Sequence, residues 1–341
     1  MKFSSIWLQF LVSAVLIVLS GKRLTVYADK LSDKLSIGKV WIGIILLGMV
    51  TSFPEGVTSL VAVVSLNAVD LGLGNLLGSN NFNLMLIVLM DLALVGKSVT
   101  SLVKPNKSHN ASSLFAIVLT LIIALDIFFG GMFSALRFGN LSLGLILVAV
   151  IYFVGIKILS SLGRKESELI KEEDDKAVQL NQDSLFKIWI NIILCAAIVI
   201  IAAVLLASSA DKISEVTGLG QTFVGSIFVA IVTSLPEMTV TLSALRIKSI
   251  DLALGNIFGS NMINMFSVFL CGLFYRGAAP ILQSVSKLNA YTAFLGIALT
   301  VVAVIGLRIR NKKTYFRLGL DSILMIVLFI VVNVILYRFV I

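Results

Sequence analysis

Two short blocks put chemically active side chains into an otherwise apolar chain: Thr51-Ser52-Phe53-Pro54-Glu55 and Thr233-Ser234-Leu235-Pro236-Glu237. Thr51 and Glu55 are four residues apart and share one helix face, with Ser52 alongside; Thr233, Ser234 and Glu237 repeat the arrangement. Each proline lacks an N–H and crowds the carbonyl four residues earlier, at Val50 or Val232, which turns further backbone oxygens loose. Hydroxyl, carbonyl and carboxylate oxygen, with no sulfur or nitrogen, form a ligand set for a hard cation such as Ca²⁺ or Na⁺.

A second polar stripe follows each block. Asn75, Ser79 and Asn83 step by four residues, as do Asn256, Ser260 and Asn264, so each trio lies along one helix face and points at the same site. For Asn75 and Asn256, interhelical packing and ligation stay equally open. Gly74 with Gly78, and Gly255 with Gly259, are small-xxx-small pairs that permit close helix approach.

The elements that must hold these residues are membrane helices. The chain has 341 residues, 58% hydrophobic and 13% charged. A soluble domain has about 25% charged residues, so a soluble fold is excluded. A span needs about 20 apolar residues. The apolar runs give ten helices: 4–27, 39–66, 71–95, 112–130, 139–161, 186–210, 220–245, 252–274, 288–307 and 319–340. The first resembles a signal peptide, but a matching segment recurs internally before Asp211 and favours a retained helix.

The chain also repeats itself. Ala28-Asp-Lys-Leu-Ser32 matches Ala210-Asp-Lys-Ile-Ser214, and the two Thr-Ser-x-Pro-Glu blocks match at the same offset of 182. The stretches Asp70–Asn83 and Asp251–Asn264 agree at nine of fourteen positions with an offset of 181, so one residue is gained or lost in the loop between blocks. Five helices separate corresponding elements. Five is odd, and the second half is therefore inverted relative to the first. The expected fold is an all-α membrane protein of ten transmembrane helices built as two inverted five-helix repeats, residues 1–162 and 186–341, joined by a cytoplasmic linker over 163–185. Inverted repeats are a signature of secondary transporters.

Both glutamates fall at mid-span, where a carboxylate costs about 2.5–3.5 kcal/mol on insertion scales. Two such groups at symmetry-related positions call for a cation between them. Asp29 and Asp211 read as caps or interface pairs, and Asp70 and Asp251 as helix N-caps. Asp91 and Asp126 have no repeat counterpart, and pairing inside the bundle and reaching toward an interface both stay open for them.

The net charge of +9 reflects loops, not a nucleic-acid surface. Counted by loop, Lys and Arg divide 21 to 6, which puts the linker in the cytoplasm and both termini outside, in a plasma or inner membrane. Cys195 and Cys271 lie in apolar runs and His109 is the single histidine, so disulfide scaffolds, Cys- or His-based metal centres and a catalytic triad are not supplied.

The blocks Thr51–Glu55 with Gly74-Asn-Leu-Leu-Gly-Ser-Asn80, and Thr233–Glu237 with Gly255-Asn-Ile-Phe-Gly-Ser-Asn261, resemble the two alpha repeats of the calcium/cation antiporter superfamily, most closely its sodium/calcium exchanger branch of prokaryotic type. The resemblance covers nearly the whole chain. It implies an electrogenic Na⁺/Ca²⁺ exchanger with central ion sites among helices two, three, seven and eight. It makes Glu55 and Glu237 the shared carboxylates, with Thr51, Ser52, Thr233, Ser234, Ser79 and Ser260 as oxygen ligands; Asn83 and Asn264 complete the candidate set. Ca²⁺ and Na⁺ are then transported partners alongside the lipid bilayer, with no resident cofactor, no obligatory protein partner and no enzymatic activity. Amides at both Asn83 and Asn264 argue against K⁺ coupling, and Gly78 and Gly259, where proton/calcium exchangers carry glutamate, argue against H⁺ coupling. A Ca²⁺/H⁺ or other divalent exchanger is the alternative, a passive cation channel a further one.

Overall fold

The structure is a computed structural model that describes residues 3–94, 96–103, 106–133, 136–138, 141–173, 183–217 and 232–340. Helices dominate it: α1 (Phe3–Leu35), α2 (Lys39–Val64), α3 (Val69–Ala93), α4 (Lys107–Phe128), α5 (Leu143–Glu173), α6 (Leu185–Val216), α7 (Leu235–Arg246), α8 (Ile250–Phe274), α9 (Lys287–Ile309) and α10 (Leu320–Val340). Eight of them are long and apolar enough to cross a membrane, and α10 adds a shorter apolar run, Leu320–Leu336. Part of the expected seventh span, 220–245, falls on residues 218–231, outside the described residues, so the count of ten rests on the sequence there.

The chain divides into two compact units, residues 1–54 with 162–256 and residues 55–161 with 257–341. Each unit draws on both sides of the 163–185 linker. In the first, α1 packs along α6 and α7. Ile17 sits at 0% exposure among Ala202, Ala203, Leu206 and Ala210, where small side chains let the two helices close. Leu8, Leu11, Val15 and Leu19 stay 55–63% exposed on α1, an apolar face suited to lipid. In the second unit, α9 packs against α3 and α4, and α10 against α9 and α3.

The repeat is visible in the connections. Four residues, 65–68, join α2 to α3, and three, 247–249, join α7 to α8, which places the offset change where the sequence requires it. Each loop has one residue in the left-handed region, Asn67 at φ 51° and Lys248 at φ 61°. Two small hairpins also correspond: β1 (Arg137–Phe138) with β2 (Leu141–Ser142), and β3 (Thr314–Tyr315) with β4 (Leu318–Gly319), both antiparallel and each leading into a helix.

These hairpins account for the two unassigned aspartates. Asp91, fully buried at the end of α3, accepts from the backbone N–H of Val99 (2.7 Å), the N–H of Gly319 (2.8 Å) and the Ser322 hydroxyl (2.8 Å). Asp126, fully buried near the end of α4, accepts from the Phe133 N–H (3.0 Å) and the Ser142 hydroxyl (3.1 Å). Both tie loops down. Asp91→Ala would strand three buried donors, and each unmet donor costs about 1–3 kcal/mol. The expected outcome is a loss of about 3 kcal/mol or more, read as a clear fall in Tm of the detergent-solubilised protein, with Asp91→Asn losing less because its amide oxygen still accepts.

One other aspartate needs correction, and a second pairs as expected. Asp70 lies inside the first turn of α3 and does not cap it: the N-cap position is Ala68, without a side-chain bond. Its Oδ1 instead accepts from the Ser286 N–H (2.7 Å) and the Asn289 amide (2.8 Å), holding the start of α9. Asp29 makes a pair of the expected kind, with Lys39 of α2 (2.7 Å), and accepts from Ser249 (2.7 Å). Lys30 meets Asp183 (2.6 Å), which also pairs with Lys187 (2.7 Å). Hydrogen bonds from Lys187 and Lys30 hold the Asp183 carboxyl down at about 2.

Candidate functional site

Glu55 and Glu237 are both buried, at 2% and 1% exposure. The other candidates are buried too, except Thr233, which is half-buried. The helices that carry most of them bury most of their apolar windows: 61% for α2, 67% for α3 and 72% for α8, against 28% for α1. A polar stripe is tolerable in a membrane helix only where protein, not lipid, faces it.

Local structure around the two blocks is not the same. α2 runs through Pro54, after widening into a π-helical turn over Gly43–Leu47. Such turns leave part of the regular hydrogen-bond ladder unmade. In the second block the helix is interrupted at Ser234, and α7 starts afresh at Leu235 with the proline in its first turn. Pro236 therefore sits where its missing N–H costs nothing, and does not crowd a carbonyl in mid-helix as the sequence implies. Glu237 falls in that first turn, where the N-terminal end of the helix dipole favours a carboxylate.

The first unit contains Thr51, Ser52, Thr233, Ser234 and Glu237. In it the Ser52 hydroxyl donates to Glu237 Oε1 at 3.2 Å, joining one member of each block. The Thr51 hydroxyl donates to Asn256 Oδ1 at 3.3 Å, and Asn256 donates onward to the Thr241 hydroxyl at 3.1 Å. The second unit contains Glu55, Ser79, Ser260, Asn83 and Asn264. There Asn75 donates to the Ser59 hydroxyl at 3.0 Å. Ser59 and Thr241 are related by the same offset of 182 as the glutamates, each four residues beyond its Glu. The bond from asparagine to hydroxyl is thus a repeated interhelical bridge, the packing role left open for Asn75 and Asn256. Ser59 and Thr241 were missed in the sequence, where the constant offset was the available signal.

A second repeated feature was also missed. Asn80 donates to the Asn261 carbonyl and Asn261 to the Asn80 carbonyl, both at 3.3 Å. Asn83 donates to Asn261 Oδ1 (3.1 Å), and Asn264 to Asn80 Oδ1 (2.9 Å). A backbone carbonyl can only accept, so each partner must present its NH₂ group to it. That leaves the side-chain oxygens of Asn80 and Asn261 to receive the NH₂ groups of Asn264 and Asn83. The oxygens of Asn83 and Asn264 do not enter this lock; both are buried and accept no hydrogen bond among the described residues. Gly255 makes a close backbone approach, against Val40 and Gly43, and a side chain added at Gly74 would lie 3.2 Å from Asn289, whereas one added at Gly78 would meet nothing within 4 Å among the described residues.

Comparison with known proteins bears on this geometry. The chain is 27% identical over 296 residues to sodium/calcium exchanger MaX1 of Methanosarcina acetivorans, covering 79% of this chain and 83% of that one. It is 26% identical over 264 residues to inner membrane protein YrbG of Escherichia coli, 76% of either chain. Its fold matches the sodium-calcium exchanger NCX_Mj with a TM-score of 0.72, at 17% identity, over 98% of this chain and 99% of the other. The sodium/calcium exchanger protein family matches residues 5–161 and 187–338, a range that takes in both Thr-Ser-x-Pro-Glu blocks and both asparagine stripes. This integral membrane chain therefore belongs to the sodium/calcium exchanger protein family.

Proposed function

We propose that the chain exchanges Ca²⁺ for Na⁺ across the membrane by alternating access, at a single site shared by Glu55 and Glu237. The observation that carries the reading is the pair of buried glutamates at repeat-related positions, with the Ser52 hydroxyl of the first block donating to Glu237 of the second. Two carboxylates supply −2, which one Ca²⁺ or two Na⁺ ions neutralise. Because the same carboxylates serve both ions, Ca²⁺ occupancy and full Na⁺ occupancy exclude one another, and that exclusion couples the fluxes. Thr51, Ser52, Thr233, Ser234, Ser79, Ser260, Asn83 and Asn264 are the remaining oxygen donors. The buried oxygens of Asn83 and Asn264, without a donor among the described residues, support their place in the set.

A relative named as a sodium/calcium exchanger supports Na⁺ as the coupling ion, as do the amides at 83 and 264 and the glycines at 78 and 259. The division of basic residues supports a cytoplasmic linker with both termini outside, in a plasma or inner membrane. The two sequence repeats, 1–162 and 186–341, are the units whose exchanged conformations would open the site to one side and then the other.

Ca²⁺ uptake into proteoliposomes under imposed Na⁺, K⁺ or H⁺ gradients, each alone, tests the reading. An outward-directed Na⁺ gradient is expected to drive uptake at least tenfold above the K⁺ and H⁺ arms, with saturable Ca²⁺ counterflow. Drive by H⁺ alone would make the chain a proton-coupled exchanger, and flux without counterflow would make it a channel.

A further inference from the structure

Away from the candidate ion site, the end of α4 and the end of α9 flank a cavity of about 390 Å³. Its lining is divided. Lys107, in the first turn of α4, and Arg308, in the last turn of α9, stand at one end with Asn110. Leu114, Ile117 and Val304, with the small side chains of Ala111 and Ser113, form the rest, between one and nearly three helical turns further along the same helices. No carboxylate lines it among the described residues. Lys107 and Arg308 are exposed, and neither has an ion-pair partner among the described residues. Leu114 is 58% exposed, on a helix whose apolar run is built to lie in a bilayer.

Two unpaired cations above an apolar groove match one chemistry: a phosphate ester that carries an acyl chain. We propose that this cavity binds an anionic phospholipid, its phosphate held between Lys107 and Arg308 and its acyl chain laid along Leu114, Ile117 and Val304. The guanidinium can take two phosphate oxygens at once, and the ammonium acts as a point charge beside it. Asn110 reaches the headgroup with its exposed amide. A free phosphate ion would satisfy the cations but would leave the groove to water or to any lipid. Basic pockets between membrane helices select anionic headgroups on this principle.

The test uses the purified full chain in a neutral detergent, with its Tm followed as lipid is added. Phosphatidylglycerol is expected to raise Tm saturably, with phosphatidylcholine and millimolar inorganic phosphate inactive. In Lys107→Gln/Arg308→Gln the apparent phosphatidylglycerol affinity is expected to fall by roughly tenfold or more, given about 1 kcal/mol per basic residue at a membrane surface. Lys312→Gln/Lys313→Gln, which removes two charges from the loop after α9, is expected to leave it within about twofold. The single variants Lys107→Gln and Arg308→Gln, each expected to lose several-fold, carry the test if the double variant does not fold. An unchanged response in the cavity variants overturns the site. An equal loss in the loop variant shows diffuse charge attraction, and saturation by phosphate alone shows an anion site without lipid; either outcome also overturns the proposal.

Discussion

Glu55→Gln or Glu237→Gln is expected to bring Na⁺-driven Ca²⁺ uptake down to the level of protein-free vesicles. Glutamine matches glutamate in size, and its side-chain oxygen can still accept the Ser52 hydroxyl that reaches position 237 at 3.2 Å. Packing is therefore kept and the charge alone is removed. With one carboxylate left, the site carries −1 against a desolvated Ca²⁺, and removing one partner of a buried ionic contact costs about 3–5 kcal/mol. That corresponds to a loss of more than about 100-fold in Ca²⁺ affinity. Uptake, radioactive Ca²⁺ binding and Tm should be measured together. Near-native flux in both variants would remove the glutamates from the mechanism, whereas a collapsed Tm would point to a structural role. A Ca²⁺-bound structure is expected to put an oxygen of each carboxylate about 2.3–2.6 Å from one ion. Ca²⁺ held by one half alone would remove the competition on which exchange depends.

The second large effect is expected at the contact between α2 and α8 in the first unit. A methyl group added at Gly255 would press onto the Val40 carbonyl oxygen and lie 3.1 Å from Gly43 Cα; one added at Gly43 would lie 2.5 Å from the Leu252 carbonyl oxygen. The obstructing atoms are backbone, so no rotamer change relieves them, and the helices must separate. Overpacking of this kind costs about 1–3 kcal/mol, occasionally more, and the upper end is expected for Gly255→Ala. Gly78→Ala should go the other way. Nothing lies within 4 Å of the added carbon, and replacing a helical glycine recovers up to about 1 kcal/mol. Opposite shifts of Tm for these two variants would establish that Gly255 is held by a close backbone contact and Gly78 is not. Equal losses would contradict it.

The membrane class, nearly all helix positions, the repeat and its one-residue slip between blocks were legible in the sequence. These depend on run length, apolar content and identity at fixed offsets, all of which are local or self-referential. Burial of both glutamates was legible as well, because an ionisable group in mid-span has few places to go. Helix ends were less so: α1 continues to Leu35, past its expected end at residue 27, because no proline or glycine follows that point before Gly38.

Tertiary structure decided what the individual polar side chains do. Asp91 anchors a distant loop and Asp70 serves another helix instead of its own, through partners as many as 231 residues away that no local pattern announces, while Asp126 holds the connection that follows its own helix. The break at Ser234, where α2 runs unbroken through Pro54, shows one motif held in two backbone forms. Four asparagines with identical spacing divided into lock and free oxygen only when backbone carbonyls fixed which amide groups must donate. A sequence specifies that a group can donate and accept; the direction is set by which partner is brought within about 3 Å of it.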